Sequence, residues 1–321
     1  MQAFTMQRHC SCENPFASSR LQIDRCPYGG WTNCVRLRNG TVELIATLDV
    51  GPRVIRFSFI GGENEFKECD AQLGQTGGKE WRMYGGHRLW HAPEDKSRTY
   101  YPDNEAVTLE QYSDFVRLIQ PVETTTGMQK EIDLRLAADS ARVEVVHRLR
   151  NTSPAAVELA PWALSVMAPG GVAIVPLPSR GTHPEDLPPG NVLTLWRFTD
   201  MSDPRWTWGR KYILLRQDMT PAVKPQKIGA AVPDGWIGYA RAGHLFVKTF
   251  RHDAGASYPD MGCSVEAFTD WEMLEVETLG PLTNIGAGQA VEHVETWRLF
   301  RDVPLPHNDG DVDAHVLPKL K

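Results

Sequence analysis

Short segments in which apolar and polar residues alternate run along most of the chain. In residues 130–136, three apolar side chains alternate with charged ones, and residues 142–150 repeat the pattern after a short polar link. A period of two is typical of a β-strand with one buried face. No window offers a capped amphipathic run of about 12 residues with the period of a helix. The pattern therefore predicts a predominantly β chain.

Turn residues separate these segments. The chain contains 27 glycines and 23 prolines, and both residue types favour turns. Residues 41–60 are predicted to form a hairpin around Gly51-Pro52. Many short strands bury their apolar faces most economically in one large antiparallel β-sandwich. The expected parts of the chain are a poorly structured N-terminal tail (1–22), one all-β domain (23–305) and a C-terminal tail (306–321).

Composition and charge exclude several classes of partner. The hydrophobic fraction of 41% predicts a packed core, and the formal net charge is −6, with the lysines and arginines scattered. Nucleic acids and anionic membranes need a clustered basic surface, so neither is expected as a partner. No stretch approaches the ~20 apolar residues of a membrane span, and the first residues lack the apolar run of a secretory signal. A cytoplasmic protein that binds a small molecule is expected.

The motifs of common cofactor sites do not occur. The sequence has no GxGxxG after a strand, no P-loop, no GxSxG and no HExxH, so no cofactor is expected. The six cysteines are too few and too dispersed for a disulfide framework. Cys10-Ser-Cys12 lacks a second thiol pair at zinc-site spacing. A structural metal at this pair is therefore not expected.

The segment YGGHRLWHAPED, residues 84–95, concentrates groups that could carry chemistry. If it is extended, His87 and His91 share one face of a strand, and Arg88 and Trp90 share the other. The two histidines with Glu94 could form a metal site, or the histidines could form an acid–base pair. They could also be structural, with their rings hydrogen-bonded in the core. The sequence leaves these three interpretations open.

A second segment, MLEVETLGPL (273–282), places Glu275 and Glu277 on one face of a predicted strand. Alternating acids usually lie on the solvated face of a sheet. A glutamate partly buried at the end of the strand would instead have a raised pKa and could act as a base near neutral pH.

Three further segments are candidates for substrate contacts. Tyr258 and Asp260 lie at a predicted turn, where Asp also has an ordinary structural role. Residues 81–86 and 203–212 concentrate tryptophans and arginines. Sugars stack on aromatic rings while polar groups bind their hydroxyls, although these aromatic residues could equally be buried in the usual way.

The order of these segments resembles an uncharacterised bacterial branch of the galactose mutarotase-like (aldose 1-epimerase) superfamily, from about Tyr28 to about Phe300. That resemblance implies a large antiparallel supersandwich with a sugar, or a sugar acid, on its concave face. The segments that resemble the branch are YGGWTNCVRLRNGTVELIATLDVGPRVIRFSF, YGGHRLWHAPE, LRNTSPAAVELAPWALSVMAPGG, SYPDMGCSVEAF and LEVETLGPL with VEHVETWRLF.

The resemblance also implies roles for individual residues. Glu277, followed by Thr-Leu-Gly-Pro, is similar to the mutarotase glutamate that removes the proton from the anomeric hydroxyl. His87 or His91 would hold or protonate the ring oxygen. The residues expected to contact the sugar are Arg88, Trp90, Asp260, Arg53 and Tyr258.

One position departs from the mutarotase pattern. Mutarotases carry their acid histidine in the middle of the chain, where this sequence has Trp162 in the comparable region. Three functions follow from the sequence: an epimerase with Glu277 as base and His87 or His91 as acid; a carbohydrate-binding protein without turnover; and a metal-assisted lyase or isomerase with His87, His91 and Glu94 as ligands.

Overall fold

A computed structural model describes residues 21–321, and these residues are almost entirely β-structure, as the alternating pattern predicted. Cys10 and Cys12 lie outside the described residues. In chain order the strands are β1 (Gln22–Tyr28), β2 (Trp31–Arg38), β3 (Val42–Thr47), β4 (Arg53–Phe59), β5 (Gly86–Ala92), β6 (Thr108–Gln111), β7 (Val116–Ile119), β8 (Met128–Leu136), β9 (Arg142–Asn151), β10 (Val157–Met167), β11 (Val172–Pro176), β12 (Leu193–Leu195), β13 (Trp206–Trp208), β14 (Tyr212–Arg216), β15 (Gln226–Ala230), β16 (Trp236–Arg241), β17 (His244–Phe250), β18 (Val265–Thr269), β19 (Leu274–Leu279), β20 (Thr283–Ile285) and β21 (Ala290–Arg301).

Two large antiparallel sheets make up the sandwich. The first sheet has the order β1-β2-β3-β4-β5-β10-β19-β18-β15-β12, with β20 paired to β10, and the second has the order β13-β14-β11-β16-β17-β21-β9-β8-β7-β6. The hairpin predicted over residues 41–60 is confirmed as β3 and β4, which pair antiparallel. Strand β12 is short, since only Leu193–Leu195 pair with β15. Among residues 21–321, no helix is long and apolar enough to cross a membrane.

The main core lies between the two sheets. On β8, Ile132, Leu134 and Leu136 point into it, as the alternation predicted. An aromatic cluster joins the sheets: the rings of Phe57, Phe66, Phe246 and Trp297 have their centroids 5.6–6.4 Å apart, mostly edge to face. This geometry suits the charge distribution of aromatic rings and adds to the burial of their area.

Two glycines are required where the chain enters β5. Gly85 and Gly86 have φ values of +96° and +72°, which lie in the left-handed region that other residues avoid. A Cβ atom on Gly85 would lie 2.1 Å from the carbonyl oxygen of Lys67, and one on Gly86 would lie 2.3 Å from that of Val54. Gly85 thus lets the chain pass close to Lys67, and Gly86 lets β5 approach β4 closely.

Residues 306–321, predicted to be a tail, contain three short helical segments. Val312 and Val316, one helical turn apart, are buried in a second apolar cluster on the second sheet. Asp309 anchors the segment, because its carboxylate accepts the backbone N–H groups of residues 210–212 at 2.8–3.2 Å. The helical segments are α1 (Pro259–Gly262) earlier in the chain, then α2 (Asp309–Asp311), a π-helical turn (Val312–Val316) and α3 (Leu317–Leu320).

The aromatic cluster gives a stability prediction. Phe246→Ala removes a fully buried ring that contacts three others, so we expect the free energy of unfolding to fall by about 3–5 kcal/mol, measured by urea unfolding. Trp271→Ala is the matched control, because this ring is 45% exposed, and surface changes usually stay within about 0.5 kcal/mol. Equal effects of the two changes would contradict the assignment of the core.

Candidate functional site

Strand β5 divides the histidine-rich segment between two environments. His87, Leu89 and His91 point between the sheets, and Arg88 and Trp90 point to the outer face of the first sheet. The predicted division of faces is confirmed. The two histidines therefore lie on the opposite side of the strand from Arg88 and Trp90.

The outer face of the first sheet holds a cavity of about 350 Å³, here called the aromatic cavity. Side chains from β5, β10, β15, β18 and β19 form its floor, and loops supply its walls. Seven of its fourteen lining residues are aromatic, and no histidine is among them. The lining residues are Trp81, Met83, Arg88, Trp90, Glu94, Tyr100, Trp162, Leu164, Trp196, Phe198, Lys227, Phe268, Met273 and Glu275.

Aromatic rings on one side of the cavity pack edge to face. The ring of Trp90 lies 5.7 Å from Trp81, 5.0 Å from Tyr100 and 5.3 Å from Trp162, measured between centroids. The guanidinium of Arg88 lies over the Trp90 ring at 4.4 Å, a cation–π contact. The rings therefore fix one another, and one wall of the cavity is rigid and apolar.

An ion pair lies on the floor of the cavity. Arg88 Nη2 donates to Glu275 Oε1 at 3.0 Å, and both side chains are almost fully buried. The other two nitrogens of Arg88, Nε and Nη1, have no hydrogen-bond partner among the described residues. Burial raises the pKa of Glu275 to about 7, although Arg88 opposes the shift. The floor thus presents free donors beside a carboxyl group that titrates near neutral pH.

A second group of charges lies beside this ion pair. Lys227 Nζ is 2.7 Å from Glu266 Oε2 and 3.6 Å from Glu277 Oε2, and it lies over the rings of Trp162 and Trp196 at 4.7 and 4.6 Å. Burial opposes the charge of Lys227, but the two glutamates outweigh it and raise its pKa. The ammonium group therefore stays charged at neutral pH.

Glu277, the base that the resemblance implied, is fully buried and is not among the residues that line the cavity. The indole nitrogen of Trp162 donates to Glu277 Oε2 at 2.7 Å. No substrate atom fits between two groups at this distance. Trp162 therefore separates this carboxylate from the cavity, although Glu275 on the same strand lines it.

The inward histidine, His87, belongs to a network between the sheets. Its Nδ1 lies 2.9 Å from Ser165 Oγ, and its Nε2 lies 2.7 Å from His147 Nε2. His147 Nδ1 is 3.0 Å from the carbonyl oxygen of His293, so Nδ1 carries the proton and Nε2 accepts one from His87. Burial lowers the pKa of both His87 and His147. Both rings are therefore neutral and internally satisfied.

Within residues 21–321, one group has the proximity of a metal site: His87, His147 and Glu295, whose candidate ligand atoms lie within 4.8 Å of one another. Zinc–nitrogen bonds of about 2.0 Å at tetrahedral angles would separate the two nitrogens by about 3.3 Å, but they are 2.7 Å apart. Glu295 is also paired with the buried Lys248 at 2.9 Å. We assign these residues to the core.

The metal group considered from the sequence, His87, His91 and Glu94, is divided by the first sheet. His91 is buried between the sheets, and burial lowers its pKa to about 3. Glu94 lines the cavity on the other face and accepts the Tyr100 hydroxyl at 2.5 Å. Since His87 also points inward, the three side chains do not converge.

Three residues that were expected to contact the sugar, Arg53, Tyr258 and Asp260, lie outside the lining of the cavity. Arg53 donates to the carbonyl oxygens of Met83 and Gly85 at 2.8 and 2.7 Å and pairs with Asp103 at 2.7 Å, which holds the loop before β5.

The other two candidates, Tyr258 and Asp260, belong to the turn at α1. The Tyr258 ring stacks on His252, and the carbonyl oxygen of Asp260 accepts the Thr194 hydroxyl at 2.9 Å. Of the two aromatic segments, residues 81–86 reach the cavity through Trp81, whereas Trp206 and Trp208 form the edge strand β13 of the second sheet.

From the sequence, Lys227 was not recognised as a site residue, and Glu266 was recognised only as a neighbour of the turn that contains Tyr258 and Asp260. Lys227 lies on β15 and Glu266 on β18. Their side chains are on the same face of the first sheet as those of Glu275 and Glu277 on the neighbouring strand β19. A signal was present, because Lys227 precedes the apolar run Ile-Gly-Ala-Ala-Val at residues 228–232. A lone lysine in an apolar strand must pair with an acid when it is buried.

Comparisons with known proteins place the fold. No family model matches the sequence, and no curated protein matches it significantly. Among solved structures, a candidate aldose 1-epimerase from Klebsiella pneumoniae is similar, with a TM-score of 0.57 and 10% identity over 91% of this chain and 85% of that chain. A galactose mutarotase-like protein from Lactobacillus casei has a TM-score of 0.52 and 10% identity over 84% and 100%.

A TPR-domain containing protein from Parabacteroides distasonis is also similar, with a TM-score of 0.54 and 15% identity over 85% of this chain. This chain spans only 48% of that protein. Identities at this level establish the fold alone. The chain has the galactose mutarotase-like β-sandwich fold, as the resemblance implied.

The buried pair Lys248–Glu295 gives a second stability prediction. Lys248→Met leaves Glu295 charged and without its cation between the sheets, so we expect a loss of about 3–5 kcal/mol in the free energy of unfolding. Lys248→Met combined with Glu295→Gln removes both charges and should recover at least half of the loss. Urea unfolding of the wild type, Lys248→Met and the double variant measures the three free energies of unfolding.

The control for this pair is Lys211→Met, which breaks the exposed pair with Asp313. Exposed pairs contribute less than about 1 kcal/mol. If Lys248→Met cost no more than this control, the buried pair would not be a major determinant of stability.

Proposed function

We propose that the aromatic cavity binds a sugar and that the protein is an aldose 1-epimerase-like isomerase with Glu275 as its base. The observation that carries the proposal is the combination, in one cavity of this fold, of an aromatic wall with an arginine–carboxyl pair. Membership of the uncharacterised bacterial branch, which the sequence motifs indicate, is part of the same proposal.

The lining of the cavity supports binding of a carbohydrate. Indole rings offer flat apolar faces to the C–H groups of a pyranose. Arg88 offers the two unpartnered N–H groups to hydroxyl oxygens, and Glu275 accepts from a neighbouring hydroxyl. A buried donor without a partner is costly, so a ligand hydroxyl at Arg88 would satisfy a group that the protein leaves open.

The charges favour a neutral sugar over a sugar acid. Arg88 and Lys227 contribute two positive charges, whereas Glu266, Glu275 and Glu277 contribute three negative ones when all are ionised. Burial and mutual repulsion already raise the pKa values of Glu266 and Glu275, and a carboxylate on the ligand would raise them further. We therefore propose a neutral aldose as the substrate.

Glu275 is better placed than Glu277 to act as the base. Glu275 lines the cavity, and its pKa of about 7 matches the requirement that a base be ionised near the working pH. Glu277 is held behind Trp162. His87 and His91, the acids that the resemblance implied, face the core on the other side of the sheet.

A second candidate function is binding without turnover. The hydrogen bond between Trp162 and Glu277 supports it, because the position comparable to the mutarotase acid is occupied by an indole that contacts the expected base. Catalysis by the pair that the resemblance implies would be lost, and sugar binding would remain.

The isomerase proposal predicts enzyme-dependent exchange between anomers. NMR exchange spectroscopy on D-glucose, D-galactose and D-xylose should show exchange for at least one sugar. Glu275→Gln should reduce the rate at least about 100-fold, the usual contribution of a base. Because Glu275 acts in its ionised form, kcat/KM should rise with pH through about 7 and level off above it.

Glu272→Gln, an exposed change on the loop before β19, is the control and should leave exchange unchanged. Loss of exchange in Glu277→Gln together with normal exchange in Glu275→Gln would transfer the role of base to Glu277. Saturable binding without exchange in the wild type would support the second candidate.

Binding itself depends on the aromatic wall. Trp81→Ala removes one face of the cavity without creating a buried charge, so we expect the Kd for the sugar to rise at least about tenfold, equivalent to about 1.4 kcal/mol. Titration calorimetry measures it. Trp208→Ala, at the edge of the second sheet, should leave the Kd unchanged; equal weakening by both changes would argue against this cavity.

A further inference from the structure

Opening a pyranose ring requires a proton for the ring oxygen as well as a base for the anomeric hydroxyl. Of the residues that line the aromatic cavity, four carry a side chain that can exchange a proton in water: Glu94, Tyr100, Lys227 and Glu275. Arg88 keeps its proton at any working pH. With Glu275 as base, the donor must come from the other three.

Two of these three are poorly suited to donate. The Tyr100 hydroxyl already donates its proton in a hydrogen bond to Glu94 at 2.5 Å, so it is not free to donate to a ligand. The Glu94 carboxyl group is the acceptor of that hydrogen bond and is already engaged with Tyr100. Lys227 remains, and an ammonium group has three N–H bonds.

The contacts of Lys227 do not use all three of those bonds, because Glu277 lies beyond hydrogen-bond distance. Glu266 lies 2.7 Å from Nζ, and Glu277 lies 3.6 Å from it. The rings of Trp162 and Trp196 enclose the ammonium group and offer no lone pair to accept a proton in a conventional hydrogen bond. At least one N–H bond of Lys227, which lines the cavity, is therefore left for a ligand.

We propose that Lys227 is the catalytic acid of this site, in place of a histidine. This assignment rests on the proposed function. In ring opening, Glu275 takes the proton from the anomeric hydroxyl, the C1–O5 bond breaks as the C1=O bond forms, and Lys227 Nζ gives a proton to O5. Rotation about the C1–C2 bond and the reverse steps give the other anomer and restore both groups.

The surroundings of Lys227 fit this role. The ring oxygen becomes an alkoxide as the bond to C1 breaks, and a positive charge fixed beside it stabilises the developing negative charge. An alkoxide is strongly basic, so even a weakly acidic ammonium can transfer its proton to it. Glu266 and Glu277 keep Lys227 charged before each turnover and after its proton returns.

Lys227→Ala should reduce anomer exchange of the active aldose at least about 100-fold, within the usual range for general acid catalysis. The change also leaves Glu266 buried without its cation. Lys227→Ala combined with Glu266→Gln removes that charge and separates the two effects. If Lys227 only balances Glu266, exchange returns in the double variant; if Lys227 is the acid, exchange stays lost while calorimetry still detects sugar binding.

Chemical rescue gives an independent readout. Methylammonium chloride added to Lys227→Ala should restore part of the exchange, whereas sodium chloride at the same ionic strength should not. Lys211→Ala, on the surface of the second sheet, is the control and should leave exchange unchanged.

The outcomes are distinguishable. Full exchange in Lys227→Ala, or its return in the double variant, overturns the role of Lys227 and leaves the proposed function intact. Absence of exchange in the wild type overturns the proposed function and the role of Lys227 together. Loss of exchange in Lys227→Ala and in the double variant with Glu266→Gln, with sugar binding retained and rescue by the amine, supports the assignment.

Discussion

The register of β10 between β5 and β19 is the constraint on which the site depends. Trp162 lies opposite Trp90 on one side, and Leu164 lies opposite Glu277 on the other. Side chains alternate between the two faces of a sheet, so a slip of one residue would exchange the aromatic cavity for the core. The hydrogen-bonded register of β5, β10 and β19 thus determines which side chains come together in the cavity.

The same alternation creates two buried polar systems separated by one sheet. On the inner face, the Nε2 atoms of His87 and His147 are hydrogen-bonded to each other, beside the Lys248–Glu295 pair. On the outer face, Arg88, Glu275 and Lys227 border the cavity. The inner system is closed, since its groups satisfy one another.

The outer system is open to a ligand. Two nitrogens of Arg88 have no partner within residues 21–321, and Glu275 is buried strongly enough to raise its pKa to about 7. Unsatisfied buried groups cost stability unless something else satisfies them. His91, between the sheets, also has no partner on its ring nitrogens, but it does not line the cavity, whereas Arg88 and Glu275 do. We therefore place the proposed function on the outer face.

The sequence was sufficient to predict the fold class, because alternation and turn residues are local properties. It also predicted correctly which residues of β5 share a face, and that Glu275 and Glu277 lie on the same face of β19. Period two determines side-chain direction once a segment is known to be extended.

Partners across the sheet could not be predicted in the same way. Lys227 pairs with Glu266 and approaches Glu277 because β15, β18 and β19 are adjacent, and strand order is a property of the whole fold. The sequence also could not show which face of β5 borders a cavity. The C-terminal residues were missed because their helical segments are too short to show a period, and Val312 and Val316 are held by tertiary contacts.

The distance between Trp162 and Glu277 has a consequence for how this fold can work. A base and an acid that act on one sugar must leave room for it, yet these two groups are in direct hydrogen-bond contact. Moving the base two residues along β19 to Glu275 keeps it on the same face and brings it into the cavity. In the mechanism that we propose, the acid is Lys227 on β15, which also lines the cavity. The proposed proton-transfer pair thus lies on two strands of one sheet, and it is compatible with the hydrogen bond between Trp162 and Glu277.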